Sequence, residues 1–347
     1  MRFHHRVISV RLARPFVSNA GVTTRVRQSV VEVGWRGLTG LGAARGADPD
    51  AVEACAEVLR DAATPYELRR VMGLLTAGGI EPAARSAVDM ALHDLLGKAC
   101  GQPLRHLLGL AGLPVPPTAV SIGACADDEL VAAGRSLAHW PVLKLKCTPD
   151  DDGSRVRVLR SVYDGRIRVD GNGSWEPEQA VRVAHELGRH GVEMLEQPVP
   201  PGDADALRYV SDRAPLPVYA DEDCHGPEDV ARLRGQVAGI NIKLVKCGGL
   251  LAARETIALA RHAGLAVMLG CKLESALGVT AMAQLAPLAD HLDLDGHVGL
   301  ADDPFTGADV TAGVVTLPPG PGLGVTANQM SDQMNAEMYA EMNDGEE

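Results

Sequence analysis

The chain has 347 residues, enough for two modest domains or one large barrel with an attachment, and carries a formal charge of −12 with no run rich in Lys or Arg. That balance argues against nucleic acid and anionic membrane surfaces as partners. Apolar residues make up 46% of the sequence but aromatic residues only 3%, so the core has to be built from Ala, Val, Leu and Ile.

The start, MRFHHRVISV, is basic but lacks the apolar segment and cleavage site of a signal peptide. No apolar run is long enough to span a bilayer. The seven cysteines are an odd number, without close pairs or zinc-type spacing, which fits reduced thiols and a cytoplasmic protein. Arg6–Leu12 and Gln28–Trp35 read as strands, joined by a loop of small and turn residues from Pro15 to Thr24. Helices are expected over Asp50–Ala62 and Pro82–Ala99, the second with a buried stripe of Ala87, Met90, Ala91, Leu92, Leu95 and Leu96. The first 110 or so residues are therefore α+β.

From about Thr118 strand and helix alternate. Helices are expected near Asp127–Ala138, Asp152–Tyr163, Pro177–His190, Pro227–Arg234, Leu250–Ala263 and Ser275–Leu288. No GxGxxG or GxxxxGK[ST] opens any of them, which removes the usual nucleotide-binding reason for an open sheet. About eight strands, including Ala119–Ile122, Ala266–Gly270 and His291–Leu294, favour a closed barrel. Val314–Leu317 and Pro321–Val325 are expected to return to the first domain, and the tail from Asn328 is acidic and rich in Met.

The stretch Val142–Cys147 puts Lys144 and Lys146 on one face of a strand and Leu143 and Leu145 on the other. A solvated edge strand would carry lysines too. Downstream, however, strand after strand ends in a charged residue: Asp170, Glu196, Asp221 and Lys243 follow Lys146 in steps of 24, 26, 25 and 22 residues. In a parallel barrel such residues surround one mouth. Three carboxylates on consecutive strands cannot all stay ionised together without a cation, and oxygen-only ligation with room for substrate suits Mg²⁺. Three separate helix N-caps would be the bland alternative. With Lys146 and Lys243 on either side, a metal-held carboxylate would have its α-proton removed from one face and returned to the other.

Together the LKLK strand, the DGNGSW segment (Asp170, Asn172, Trp175), the EQP turn (Glu196, Gln197, Pro198), the ADED segment (Asp221, Glu222) and NIKLVKCGG (Lys243, Gly248, Gly249) resemble the muconate-lactonising branch of the enolase superfamily. The helix AVDMALHDLLGKACGQPL and the closing PGLGV extend the resemblance over nearly the whole chain. It implies an α/β fold, a modified TIM barrel of (β/α)7β type with an α+β capping domain formed by the N-terminus and the C-terminal segment. The expected boundaries are 1–115 for the cap, 116–312 for the barrel, 313–327 for the return to the cap and 328–347 for the acidic tail. It also implies Mg²⁺ on Asp170, Glu196 and Asp221, acid/base roles for Lys146 and Lys243, a carboxylate-polarising role for Lys144, and a homo-oligomer.

Asp293 and Asp295, on one face of the eighth strand, resemble the DxD motif with which dipeptide epimerases bind a substrate ammonium group. An N-acylamino-acid racemase, an o-succinylbenzoate synthase or a muconate cycloisomerase would keep the lysines and metal but have no use for that pair. A catalytically silent binding protein is a further alternative, against which the retention of every charged group argues. The seventh strand ends in Cys271-Lys272 with no histidine base, and Lys272 is a candidate contact for an acidic substrate group, with a lysine snorkelling into solvent as the alternative. Asp223 stands where Ser is commoner in the family. The loop from Pro15 to Arg27 is expected to close over the substrate, with Arg25 or Arg27 as a contact. Lys246, a less favoured candidate for the second acid/base, is expected to face away from Lys243 if the strand continues.

Overall fold

The computed structural model describes residues 1–19 and 21–328; the acidic tail beyond Asn328 lies outside the described residues. The first two strands run much further than their apolar centres. β1 (Arg2–Ser18) and β2 (Gly21–Trp35) pair antiparallel almost to the tip, so most of the expected Pro15–Thr24 loop is hairpin. Their register shifts between Arg11 and Phe16. Pro15 has no N–H to give, and across the break β1 bonds a loop beyond the barrel instead: Ala13 N donates to Gly299 O and Ala301 N to Arg11 O, each at 2.9 Å.

β3 (Leu38–Arg45) completes the three-stranded sheet and was not expected, because LTGLGAAR is built from Gly and Ala. Packing explains its composition. It lies directly on α3 (Pro82–Ala99), where a Cβ on Gly40 would stand 2.1 Å from the Ala91 carbonyl oxygen and one on Gly42 1.9 Å from that of Ala87. The sheet and helix touch at backbone distance. α1 (Pro49–Asp61), α2 (Leu68–Ala77) and the short α4 (Leu104–Leu107) complete this part; α2 and α4 were not expected.

α3 is buried all round rather than along one stripe, and carries Asp89, His93 and Asp94 inside. Each aspartate works as a tie. Asp89 Oδ2 accepts from Leu250 N at 2.5 Å, capping a barrel helix. Asp94 accepts from Leu41 N of β3 at 2.9 Å, from Leu323 N of the closing segment at 2.8 Å and from Lys98 Nζ at 2.6 Å.

The barrel follows in strict alternation: β4 (Val120–Ile122), α5 (Asp127–Ser136), β5 (Val142–Lys146), α6 (Ser154–Arg160), β6 (Arg166–Asp170) and α7 (Pro177–Arg189). Then come β7 (Met194–Glu196), α8 (Ala204–Ser211), β8 (Val218–Ala220), α9 (Pro227–Leu233), β9 (Gly239–Ile242), α10 (Leu244–Cys247) and α11 (Leu250–His262). β10 (Ala266–Gly270), α12 (Ala276–Ala283) and β11 (His291–Asp293) end it. These eight parallel strands lie in sequence order, and a bridge from Thr118 to Leu292 closes the ring. This is the (β/α)7β barrel, with an antiparallel sheet and helices as its cap. Among the described residues no helix is long and apolar enough to cross a membrane.

The two faces of each strand have separate tasks. Outward residues such as Leu143, Leu145, Ile167, Val169, Leu195, Ile240, Ile242 and Leu269 join the large core beneath the helices. Inward, Met194, Tyr219 and Met268 form a small apolar plug. Beside it Arg168 donates to Glu193 at 2.6 Å and to Leu292 O at 2.9 Å. Above that layer the inward side chains are mostly charged or polar, which leaves one end of the barrel for chemistry.

The ties from α3 generate a prediction about folding. Asp94→Ala strips acceptors from a buried and a half-buried main-chain N–H group and from an ammonium, so it should lower unfolding free energy by about 3 kcal/mol in urea titration. A loss under about 0.5 kcal/mol would show that Asp94 does not hold the closing segment to the cap.

Candidate active site

Strand-end register brings the charged residues together. Lys146 pairs with Asp170 between β5 and β6, and Asp170 with Glu196 between β6 and β7, so they form one layer at the C-terminal ends. Carboxylate oxygens of Asp170, Glu196 and Asp221 all lie within 4.8 Å of one another, and the three side chains are buried. Two ligands about 2.1 Å from one Mg²⁺ are at most about 4.2 Å apart, so this all-oxygen cluster is close to a ligating geometry for a hard divalent cation. None of the three caps a helix. The N-caps of α7, α8 and α9 are Glu176, Asp203 and Gly226, five or more residues further on.

Lysines compensate this charge. Lys144, with no exposed surface, contacts Asp170 at 3.1 Å, Glu196 at 2.6 Å and Asp293 at 2.6 Å. Lys146 contacts Asp170 at 2.5 Å, and Lys243 contacts Asp221 at 2.6 Å. Burial alone would push the Lys144 and Lys243 ammonium groups down, but the surrounding carboxylates raise both above the usual lysine range. Asp170 is pushed up by burial and pulled further down, to about 2, by Lys144 and Lys146. Glu196 goes the other way. Burial and the charge of Asp170 raise it to about 7, because Lys144 is shared among three carboxylates and cannot neutralise them all.

Lys246 requires a correction. The strand does not continue past Ile242; Lys243 is the N-cap of the one-turn α10, so Lys246 curls back to the same side. It donates to both the carboxylate and the main-chain carbonyl of Asp221. Asp221 is thus gripped by two lysines, which hold it well below the usual carboxylate range against its burial.

On the opposite arc, Asp293 ends β11 and is tied to Lys144, whereas Asp295 lies past the strand and accepts from Ser121 N at 2.6 Å. Both line a cavity of about 440 Å³ with Lys146, Lys243, Lys272, Asn172 and Glu222. The hairpin covers it: Phe16, Ser18, Asn19 and Thr23 line the cavity, and Asn19 Nδ2 donates to Asn172 O at 3.3 Å. Arg25 and Arg27 stand exposed further along β2, and Arg25 Nε donates to Ser9 Oγ at 2.9 Å. The hairpin thus turns Phe16 and Thr23, rather than either arginine, to the cavity.

Uncharged residues completing the site gave no charge signal in the sequence. Asn241 Nδ2 donates to Glu196 Oε1 at 2.7 Å, and Gly270 leaves room for it, since a Cβ there would lie 2.4 Å from Asn241 Oδ1. Gln197 accepts from Asp221 N at 3.0 Å and donates to Asp223 at 2.8 Å. Asp223 also accepts from Gly202 N at 2.9 Å and so joins the loops after β7 and β8.

Comparisons with known proteins agree with this construction. Residues 4–109 match the mandelate racemase / muconate lactonizing enzyme N-terminal domain, and residues 126–331 match the enolase C-terminal domain-like family. An L-Ala-D/L-Glu epimerase of Bacteroides thetaiotaomicron is 36% identical over 85% of this chain and 80% of its own. An L-Lys-D/L-Arg epimerase of Methylococcus capsulatus is 37% identical over 83% of this chain and 88% of its own. A solved dipeptide epimerase from Enterococcus faecalis, complexed with Mg and L-Leu-L-Tyr, superposes with a TM-score of 0.88 at 28% identity, covering 93% of this chain and 98% of that one. A two-part family match over nearly the whole length, on a capped (β/α)7β barrel, leads to one assignment: the chain belongs to the mandelate racemase / muconate lactonizing enzyme family of the enolase superfamily.

Proposed function

We propose that this chain is an isomerase, a Mg²⁺-dependent dipeptide epimerase that inverts the carbon α to the terminal carboxylate of its substrate. The observation that carries the reading is the order of charges around the barrel mouth. Lys146 on β5 and Lys243 after β9 stand four strands apart in a ring of eight, on opposite sides. The carboxylates of β6, β7 and β8 fill the arc between them, and Asp293 and Asp295 occupy the other arc. A molecule with a carboxylate at one end and an ammonium at the other fits between two anionic arcs only if a cation intervenes at the first. The cluster's oxygen-only donor set suits Mg²⁺, and Mg accompanies the dipeptide in the E. faecalis relative.

Asp170, Glu196 and Asp221 would hold the cation. Bound there, it supplies positive charge for the substrate carboxylate and for the negative charge that develops beside it when the α-proton leaves. Lys144 adds a second positive group next to Glu196. Lys146 takes the proton from one face of the α-carbon and Lys243 delivers one to the other, with the roles reversed in the opposite direction. Asp293 and Asp295 hold the ammonium end, which is what favours a dipeptide over an N-acylated amino acid.

Removing a single ligand charge should disclose the metal site without any assay of turnover. Asp170→Asn, Glu196→Gln and Asp221→Asn should each weaken Mg²⁺ binding at least about tenfold in calorimetric titration, with the fold retained. Unchanged affinity in all three would place the cation elsewhere.

The lysines separate by face. Lys146→Ala and Lys243→Ala should both abolish epimerisation, while each still exchanges the α-proton of one epimer in D₂O, a different epimer in each variant. Loss of exchange for both epimers in both variants would point to a single base.

Burial and the charge of Asp293 push the Asp295 carboxyl up to about 6. Only its ionised form attracts an ammonium group, so KM for dipeptides should rise as pH falls through 6 and stay flat above it. Asp295→Asn should have a high KM with no inflection there; a wild-type KM independent of pH between 5 and 7 would remove Asp295 from ammonium binding.

A further inference from the structure

One corner of the cavity carries charge that the reaction does not use. Arg45 ends β3 in the cap and Lys272 stands just past β10 in the barrel, and both line the cavity with Leu273. The other cations at the mouth are held by carboxylates: Lys146, Lys243 and Lys246 by one each and Lys144 by three. Arg45 instead donates to the Leu273 carbonyl at 3.2 Å, and among the described residues neither it nor Lys272 makes an ion pair.

The nearby anion is a poor counter-charge. Glu274 lies buried behind the corner, where its Oε1 accepts from the main-chain N–H of Lys272 at 3.0 Å rather than from the ammonium. Burial raises its carboxyl to about 7, although Arg45 and Lys272 pull it down. Lys272 in turn is lowered by burial and by the charges of Lys243 and Arg45, as expected where cations gather without a partner. Relatives on this fold act on or bind dipeptides whose side chains are acidic, basic or apolar, so the cavity wall rather than the barrel selects among them.

Resting on the epimerase reading above, we propose that Arg45 and Lys272 together bind the side-chain carboxylate of an acidic dipeptide, which this chain takes ahead of neutral and basic ones. Lys272 follows the strand between that of Lys243 and that of Asp293. It therefore stands between the reacting carbon and the ammonium end, within reach of a carboxylate on either residue. The chemistry is the same in both cases, and paired substrates separate them.

The test measures kcat/KM with the full Mg²⁺-loaded chain for L-Ala-L-Glu against L-Ala-L-Gln and for L-Glu-L-Ala against L-Gln-L-Ala. Acid and amide differ little in shape, so the ratio reads charge. In one of the two pairs the acid should be preferred about 20-fold, the margin of a charge-assisted hydrogen bond. The pair that shows the preference identifies which residue carries the carboxylate. Lys272→Met and Arg45→Gln should each lower that ratio by about tenfold, mainly through KM. Equal rates for acid and amide in both pairs, or a ratio untouched in both variants, would overturn the assignment alone. Failure of any dipeptide to exchange its α-proton would overturn the epimerase reading and this subsite with it.

Discussion

The rest of the site depends on one buried ammonium group. Lys144 has no contact with solvent and bridges Asp170, Glu196 and Asp293, which belong to β6, β7 and β11. A lone ammonium in that position would be too costly to keep charged, and so would the carboxylates without it. Because Lys144 stands on β5, the same interaction joins both arcs of the barrel. Shifting any of these strands by one residue would turn a charged group outward into the apolar layer under the helices. Register and charge compensation are therefore one constraint, and the arrangement that could hold a divalent cation is also what makes the inward face of the barrel tolerable.

The cap is tied into this scheme by equally specific contacts. Asp89 and Asp94 on α3 reach a barrel helix, the cap sheet and the closing segment, and Gly40 and Gly42 allow β3 to lie on that helix at backbone distance. Such closeness fixes where β3 ends, and β3 ends at Arg45 on the cavity wall. The hairpin reaches the other side, where Val17 O accepts from Ala124 N at 2.9 Å. Cap residues thus contact the mouth while its paired charges all come from the barrel, a division that lets side chains on the wall vary without disturbing the cluster.

Much of this was legible from spacing. Charged residues recurring about every 25 positions at strand ends marked a parallel barrel with one functional mouth, because apolar runs ending in charge have no purely structural reason to repeat. What escaped did so for physical reasons. β3 contains little but Gly, Ala and Leu, since its task is close approach rather than side-chain burial. Lys246 faces away from Lys243 only along a continued strand, whereas these residues form a single helical turn, closed by Gly248 at φ 96°. Asn241 and Gln197 carry no charge, so their service to Glu196 and Asp221 leaves no trace in a charge pattern. α2 and α8 are short helices, and only their partners in the fold give them stability.

Backbone strain beside the acidic cluster also helps to hold the site. Asn172 and Gln197, two residues after Asp170 and one after Glu196, have φ of 43° and 34°, a region that costs a non-glycine residue about 1 kcal/mol or more. Each is held by a hydrogen bond to a residue of the acidic cluster. Asn172 N donates to Asp170 Oδ1 at 2.9 Å, and the Gln197 side chain accepts from Asp221 N at 3.0 Å. The strained turns follow the strand ends directly, and Asn172 and Glu222 line the cavity above the buried carboxylates. Lysines and amides surround these carboxylates on every side, so each buried charge has a fixed partner. Local strain and close-set charges, each unfavourable alone, hold one another in place.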